Sequence, residues 1–175
     1  MATEKTPPTP ADRFELPAFF EGATTACGVF EDRFGRVRRR FEVAVVGAWV
    51  GPEFVMDERL TFDDGTVEVR TWRLAAAVDG AFTATTSDGL GAAAGVAAPG
   101  RVEMRYGFRL AMGRRVLRVA IHDRFYRMDA DIVINRATVR WWGVKIGEIS
   151  AVFQRSRAGE VVHPQRTAAR RATLA

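Results

Sequence analysis

The stretch Arg101-Val102-Glu103-Met104-Arg105-Tyr106-Gly107-Phe108-Arg109-Leu110 decides the fold class. Val102, Met104, Tyr106, Phe108 and Leu110 occupy every second position, and the residues between them are charged or glycine. A period of two puts these sets on opposite faces of an extended strand, one dry and one wet. The pattern recurs outward in both directions. Val37, Arg39, Phe41, Val43 and Val45 make a second stripe, and Phe54, Met56, Glu58, Leu60 and Phe62 a third. Leu117, Val119, Ile121 and Phe125 make a fourth, with Asp123 among them. Asp63-Asp64-Gly65 reads as a hairpin turn, and Gly51-Pro52, Asp79-Gly80, Ser87-Asp88-Gly89, Pro99-Gly100 and Trp142-Gly143 punctuate the rest. No window carries the period of a long amphipathic helix, and one short helix is expected near residues 17–20. The template gives about eight to ten strands. Consecutive antiparallel strands with short turns predict an all-β fold, an up-and-down barrel or near-barrel whose closure removes exposed edges. A barrel of that size has room for a small ligand.

The 175 residues suit one domain with its own core, and 47% hydrophobic with 27% charged residues is an ordinary globular balance. Pro7, Pro8 and Pro10 mark residues 1–15 as a flexible arm, the barrel is expected over 16–155, and 156–175 reads as a flexible basic tail. Charge follows that division. The pI near 10.3 invites a nucleic-acid reading. Yet Arg155, Arg157, Arg166, Arg170 and Arg171, against Glu160 alone, place most of the net +5 in the last 21 residues. The body is left near neutral, so no nucleic-acid partner is expected. One cysteine, Cys27, allows neither an internal disulfide nor a cysteine-based metal site. Neither a signal-peptide core nor a membrane-spanning apolar run is evident, so a cytoplasmic protein without stable membrane insertion is expected.

Several residues invite chemistry, each against a plainer reading. Gly89, Gly91 and Gly95 mimic a phosphate loop, but Val96-Ala97-Ala98-Pro99 follows where a helix must start, so they read as a small-residue strand. His122 and His163 are too far apart for a metal pair, and His122 reads first as a satisfied strand histidine. Cys27 with His122 is a nucleophile pair that nothing in the pattern supports. Arg39 and Glu58 are more informative, because each sits on an apolar stripe. A charge on an inward face needs a partner, and a hairpin turning near Gly51 suggests an internal Arg39–Glu58 pair. Such a pair either pins the barrel rim or polarises a ligand. Asp123, Arg124, Tyr126, Asn135, Arg136 and Glu148 read as a polar cluster near the C-terminal strands. Trp72, Trp141 and Trp142 either line a pocket or seal a barrel end.

Phe19-Phe20-Glu21-Gly22, Gly28-Val29-Phe30-Glu31-Asp32-Arg33-Phe34-Gly35 and Arg39-Arg40-Phe41 resemble the bacterial domain-of-unknown-function family 3833. So do Asp63-Asp64-Gly65, Arg70-Thr71-Trp72-Arg73, Asp123-Arg124-Phe125-Tyr126, Asn135-Arg136 and Trp142-Gly143-Val144, in the family's order across about residues 16–155. The resemblance implies a lipocalin-like architecture and no established activity. It hints at modified fatty acids or stress. Many relatives begin with a lipoprotein signal, whereas Thr24-Thr25-Ala26-Cys27 lacks the apolar stretch before it. His122 stands where an acid is expected, and Ala92-Ala93-Ala94 where relatives are more polar.

These readings converge on a module binding a small apolar ligand, a fatty acyl chain or similar lipid. Arg39, Phe41, Glu58, Trp72, Met104, Tyr106, Phe108, Asp123, Tyr126, Arg136 and Glu148 are the candidate ligand residues, with no metal or cofactor. One alternative is an enzyme or accessory subunit acting on unsaturated or methylated fatty acids, with Asp123, Tyr126 and Glu148 as acid–base groups. Another is a filled-core stress protein without a ligand. Fold alone does not choose among them.

Overall fold

The computed structural model describes residues 13–76, 79–112 and 114–156. After the short helix α1 (Leu16–Phe20), ten strands follow: β1 (Gly22–Asp32), β2 (Val37–Val50), β3 (Glu53–Phe62), β4 (Val67–Ala76), β5 (Ala81–Thr86), β6 (Ala93–Ala98), β7 (Arg101–Met112), β8 (Arg115–Arg127), β9 (Ile132–Trp141) and β10 (Val144–Arg155). Each pairs antiparallel with its sequence neighbour, and β10 returns to pair with β1, closing the barrel. The period-two stripes become its inner lining, as the sequence predicts. Phe41, Val43 and Val45 on β2, Phe54 and Met56 on β3, Val102, Met104 and Phe108 on β7, and Val119 and Ile121 on β8 are all buried. The Asp63-Asp64-Gly65 turn joins β3 to β4, with Thr66 N–H donating to Asp64 Oδ1 at 2.8 Å.

The two ends of the barrel differ. One is plugged by residues 13–21. Phe14 N–H donates to the Ala98 carbonyl at 3.0 Å. Phe14, Leu16, Phe19 and Phe20 are buried, and Phe20 stacks edge-on against Phe125 and Phe153. The layer beneath is solid, with Val45, Phe54, Val102 and Val133 no more than 1% exposed. Phe14, which precedes the expected start of the barrel at residue 16, is thus part of this plug. Residues 1–12 and the tail from 157 lie outside the described residues.

The other end carries the β1–β2, β3–β4, β5–β6, β7–β8 and β9–β10 turns and has no plug of its own among the described residues. Inward-facing side chains there, including Phe30, Leu60, Phe62 and Leu117, keep part of their surface accessible. Of the glycines after residue 88, Gly89 and Gly91 lie in the β5–β6 turn and Gly95 in the small-residue strand β6. A Cβ on Gly95 would lie 2.1 Å from Phe82 Cζ, so Gly95 makes room for an inward ring and not for a phosphate.

Candidate ligand site in the barrel interior

Turn positions set the register and so decide which charges meet inside. The β2–β3 turn falls at Gly51-Pro52, with Val50 opposite Glu53, which places Val45 opposite Glu58. The expected Arg39–Glu58 pair is therefore absent. Arg39 lies several residues nearer the open end, with Nη2 3.4 Å from Asp64 Oδ2 and Nη1 3.8 Å from Glu68 Oε1. Its guanidinium lies 3.4 Å above the Phe62 ring. The residue opposite Glu58 on β4 is Arg70. Arg70 donates to Glu68 Oε2 at 2.8 Å and stacks 5.0 Å from the Phe108 ring centroid. Arg39 and Arg70 thus share Glu68, and each presses an aromatic ring of the inner wall. The Nε atoms of both are buried without a hydrogen-bond partner on the protein. A buried donor left unmatched is costly, and these two edges, with the hydroxyls of Thr24 and Thr86, are polar atoms of the interior that lack a protein partner.

Deeper in sits an acidic cluster. Tyr106 Oη donates to Asp123 Oδ2 at 2.6 Å, and Asn135 Nδ2 donates to Asp123 Oδ1 at 2.9 Å. The Trp72 side chain packs edge-on against Tyr106, with centroids 5.2 Å apart, and donates a hydrogen bond to Glu58. Glu58 has the inward parity of β3 and is enclosed by the barrel wall, yet it keeps part of its surface accessible. Burial pushes its carboxyl up to about 7 against the attraction of Arg70, and Asp123 adds to the rise. Burial also raises Asp123 despite its two donors, and burial with the neighbouring Asp123 holds the Tyr106 phenol protonated far above its usual range. Two carboxyls and a neutral phenol in one largely buried cluster can hold and pass a proton.

The structure therefore brings Arg39, Glu58, Trp72, Tyr106, Phe108 and Asp123 to the interior, with Phe41 and Met104 packed in its wall. It does not bring in the rest. Tyr126, Arg136 and Glu148 have the outward parity of their strands, and Arg136 meets Glu148 at 3.7 Å on the outer surface. Of the expected polar cluster only Asp123 and Asn135 are inside, so the Asp123–Tyr126–Glu148 acid–base set is not assembled. His122 also points out, bonded to Glu103 at 2.8 Å. Cys27 is exposed on β1, three strand steps from His122, roughly 14 Å or more, so the two form no dyad. Trp72 lines the interior, whereas Trp141 and Trp142 sit at the open rim. Among the described residues no group of three His, Cys, Asp or Glu could hold a metal, and no helix is long and apolar enough to cross a membrane.

The family described as "Protein of unknown function (DUF3833)" matches residues 4–155. The chain belongs to that family. The match spans α1, all ten strands and every interior residue named above. Among solved structures, this DUF3833 chain is similar to an S-type phycobiliprotein lyase from Guillardia theta, at 9% identity and TM-score 0.60, covering 84% of this chain and 96% of that one. It is also similar to Rv2717c from M. tuberculosis, at 17% identity and TM-score 0.59, covering 81% and 94%. At these identities the likeness shows the fold. No curated protein matches. The inward-facing charged residue that sequence reasoning misses is Arg70. Its stripe, Glu68, Arg70, Trp72 and Leu74, begins with two charges and so does not read as an inner face, although Trp72 and Leu74 carry the right period.

Proposed function

We propose that this barrel binds a small, mostly apolar ligand with an acidic head group, of the fatty-acyl kind. The chain of the ligand lies in the open half of the lumen, and its head group meets the free Nε edges of Arg39 and Arg70. The observation that carries the reading is the pair of guanidinium edges without a protein partner, set among the inward aromatic and aliphatic side chains of the open end. Pockets for such ligands are apolar with a few convergent polar groups, and guanidinium is the side chain best matched to a carboxylate. A protein of the same fold is named a phycobiliprotein lyase, which fits an architecture that serves other molecules and is not merely a packed shell.

The test is titration with a fluorescent fatty acid and with the fatty alcohol of equal chain length. Wild type is expected to bind the acid more tightly. The double change Arg39→Met with Arg70→Met should weaken the acid about tenfold or more while leaving the alcohol nearly unchanged. Failure of wild type to bind either probe defeats the proposal.

A second reading rests on Glu58, whose carboxyl titrates near neutrality beside Asp123 and Tyr106. In it the barrel is an enzyme, and Glu58 moves a proton on the bound ligand. Glu58→Gln would then abolish turnover while sparing ligand affinity.

A further inference from the structure

The open rim is divided by charge and by hydrophobicity. In barrel order the β1–β2, β9–β10 and β7–β8 turns follow one another along one arc. At two of their tips stand exposed aromatics, Phe34 at 71% and Trp142 at 86%, beside Trp141 at 42%. Phe34, Trp141, Trp142 and Val144 line one shallow groove, so the two tips make one apolar patch. Basic residues outnumber acids around it: Arg33 and Arg36 stand on the first turn, Arg140 and Lys145 on the second, and Arg114 and Arg115 on the third, against Asp32, which lines the groove and is paired with Arg38, and Glu148, which lies 2.9 Å from Lys145. The opposite arc is acidic, with Asp63 and Asp64 on the β3–β4 turn and Asp88 on the β5–β6 turn.

Two features of the basic arc cost folding energy. Arg109 and Arg118 face each other directly across β7 and β8, a like-charge pair that weakens the sheet. Arg109 and Arg140 donate to the carbonyls of Gly89 and Gly143, at 3.0 and 3.1 Å, which orients both guanidiniums without neutralising them. Trp142 is the second. It takes φ +50° at the first position of a two-residue turn, with Gly143 at φ +78°. That turn favours asparagine followed by glycine, and a bulky residue at positive φ is an outlier. The fold thus holds a strained indole in water where a smaller residue suits the turn better.

We propose that this arc docks the protein peripherally on an anionic lipid bilayer, with Trp142 and Phe34 entering the headgroup layer and the arginines and lysine meeting lipid phosphates. Aromatic tips ringed by basic residues match the amphipathic depth profile and negative surface of such a membrane. A polyanion such as duplex DNA offers the charge but no apolar layer for the indole. Docking turns the open end of the barrel toward the bilayer. It stands whether or not the lumen takes a fatty acyl ligand.

The test is co-sedimentation of the full chain with vesicles of phosphatidylcholine alone or with a third phosphatidylglycerol. Binding only to the anionic vesicles is expected, weakening with salt and accompanied by a blue shift of tryptophan emission. Trp142→Asn should lose about tenfold in vesicle affinity while melting at or above the wild-type temperature, since it supplies the preferred turn residue. Arg140→Gln with Lys145→Gln should lose about tenfold and flatten the salt dependence. Neutralising Arg166, Arg170 and Arg171 to glutamine should leave the aromatic effect in place. No binding to anionic vesicles overturns the proposal. So does binding that Trp142→Asn leaves unchanged, binding lost only with the tail charges, or equal competition by duplex DNA, which would mark a general polyanion surface.

Discussion

Glu58 carries the sharpest single-residue consequence. Its carboxyl titrates near 4.5 in an ordinary setting and at about 7 inside the barrel, because burial disfavours its charged form. A carboxyl whose folded value is raised binds its proton more tightly in the native state. Stability is therefore highest below the ordinary value and falls as pH rises from about 4.5 to about 7. Asp123 is raised as well and adds the same sign. Chemical unfolding at pH 5 and pH 8 should show the protein about 1–3 kcal/mol less stable at the higher pH, discounting for lumenal solvent. Glu58→Gln should remove much of that slope. A slope of opposite sign would place Glu58 in a solvated, well-paired setting. Asp123→Asn probes the same cluster, since it keeps the shape but alters what Tyr106 and Asn135 donate to.

At the scale of elements, the plug and the open end should respond differently to truncation. Phe54 is wholly buried in the layer under α1, so Phe54→Ala should cost about 3–5 kcal/mol in unfolding free energy. Phe108 packs against Arg70 and Tyr106 beside the lumen, so Phe108→Ala should cost less, about 1–3 kcal/mol, and should weaken a fatty-acid probe. Equal costs at the two positions would favour a uniformly filled core. Gly47 tests the docking of α1. A Cβ there would meet the Phe20 carbonyl oxygen at 2.2 Å, so Gly47→Ala should lower the melting temperature sharply. Strands of this kind are legible in sequence because the period of two survives in Val102 to Leu110 and its companions. The α1 plug is less so: Phe14 stands two residues before the helix, where no pattern marks it as buried. Pairing inside the barrel is least legible. Counting outward from the Gly51-Pro52 turn puts Glu58 opposite Val45, six residues along β2 from Arg39, while the separate β3–β4 turn sets Arg70 on its other side, so both hairpins must be read together before the charges can be paired.

Across the whole molecule, the near-neutral sum of the body conceals its segregation. Net charge reads correctly from composition, but whether arginines spread out or share an arc depends on closure, which sets β1, β10, β9, β8 and β7 side by side. Outward parity likewise separates Tyr126, Arg136 and Glu148 from Asp123, a distinction that residue spacing along β8 contains and that a cluster in sequence hides. Closure has a further consequence in time. The seam joins β1 to β10, pairing Thr24 with Arg155. On the ribosome, then, the first strand waits for the last, and a chain halted before Val144 presents two unpaired edges, on β1 and β9. Open edges recruit other chains. Nascent chains stalled at residue 141 should be protease-sensitive and bind chaperones, and chains extended well past Arg155 should become resistant in one step. Synthesis of this barrel is thus an all-or-nothing event, with its aggregation hazard concentrated in the seconds before the final strand emerges.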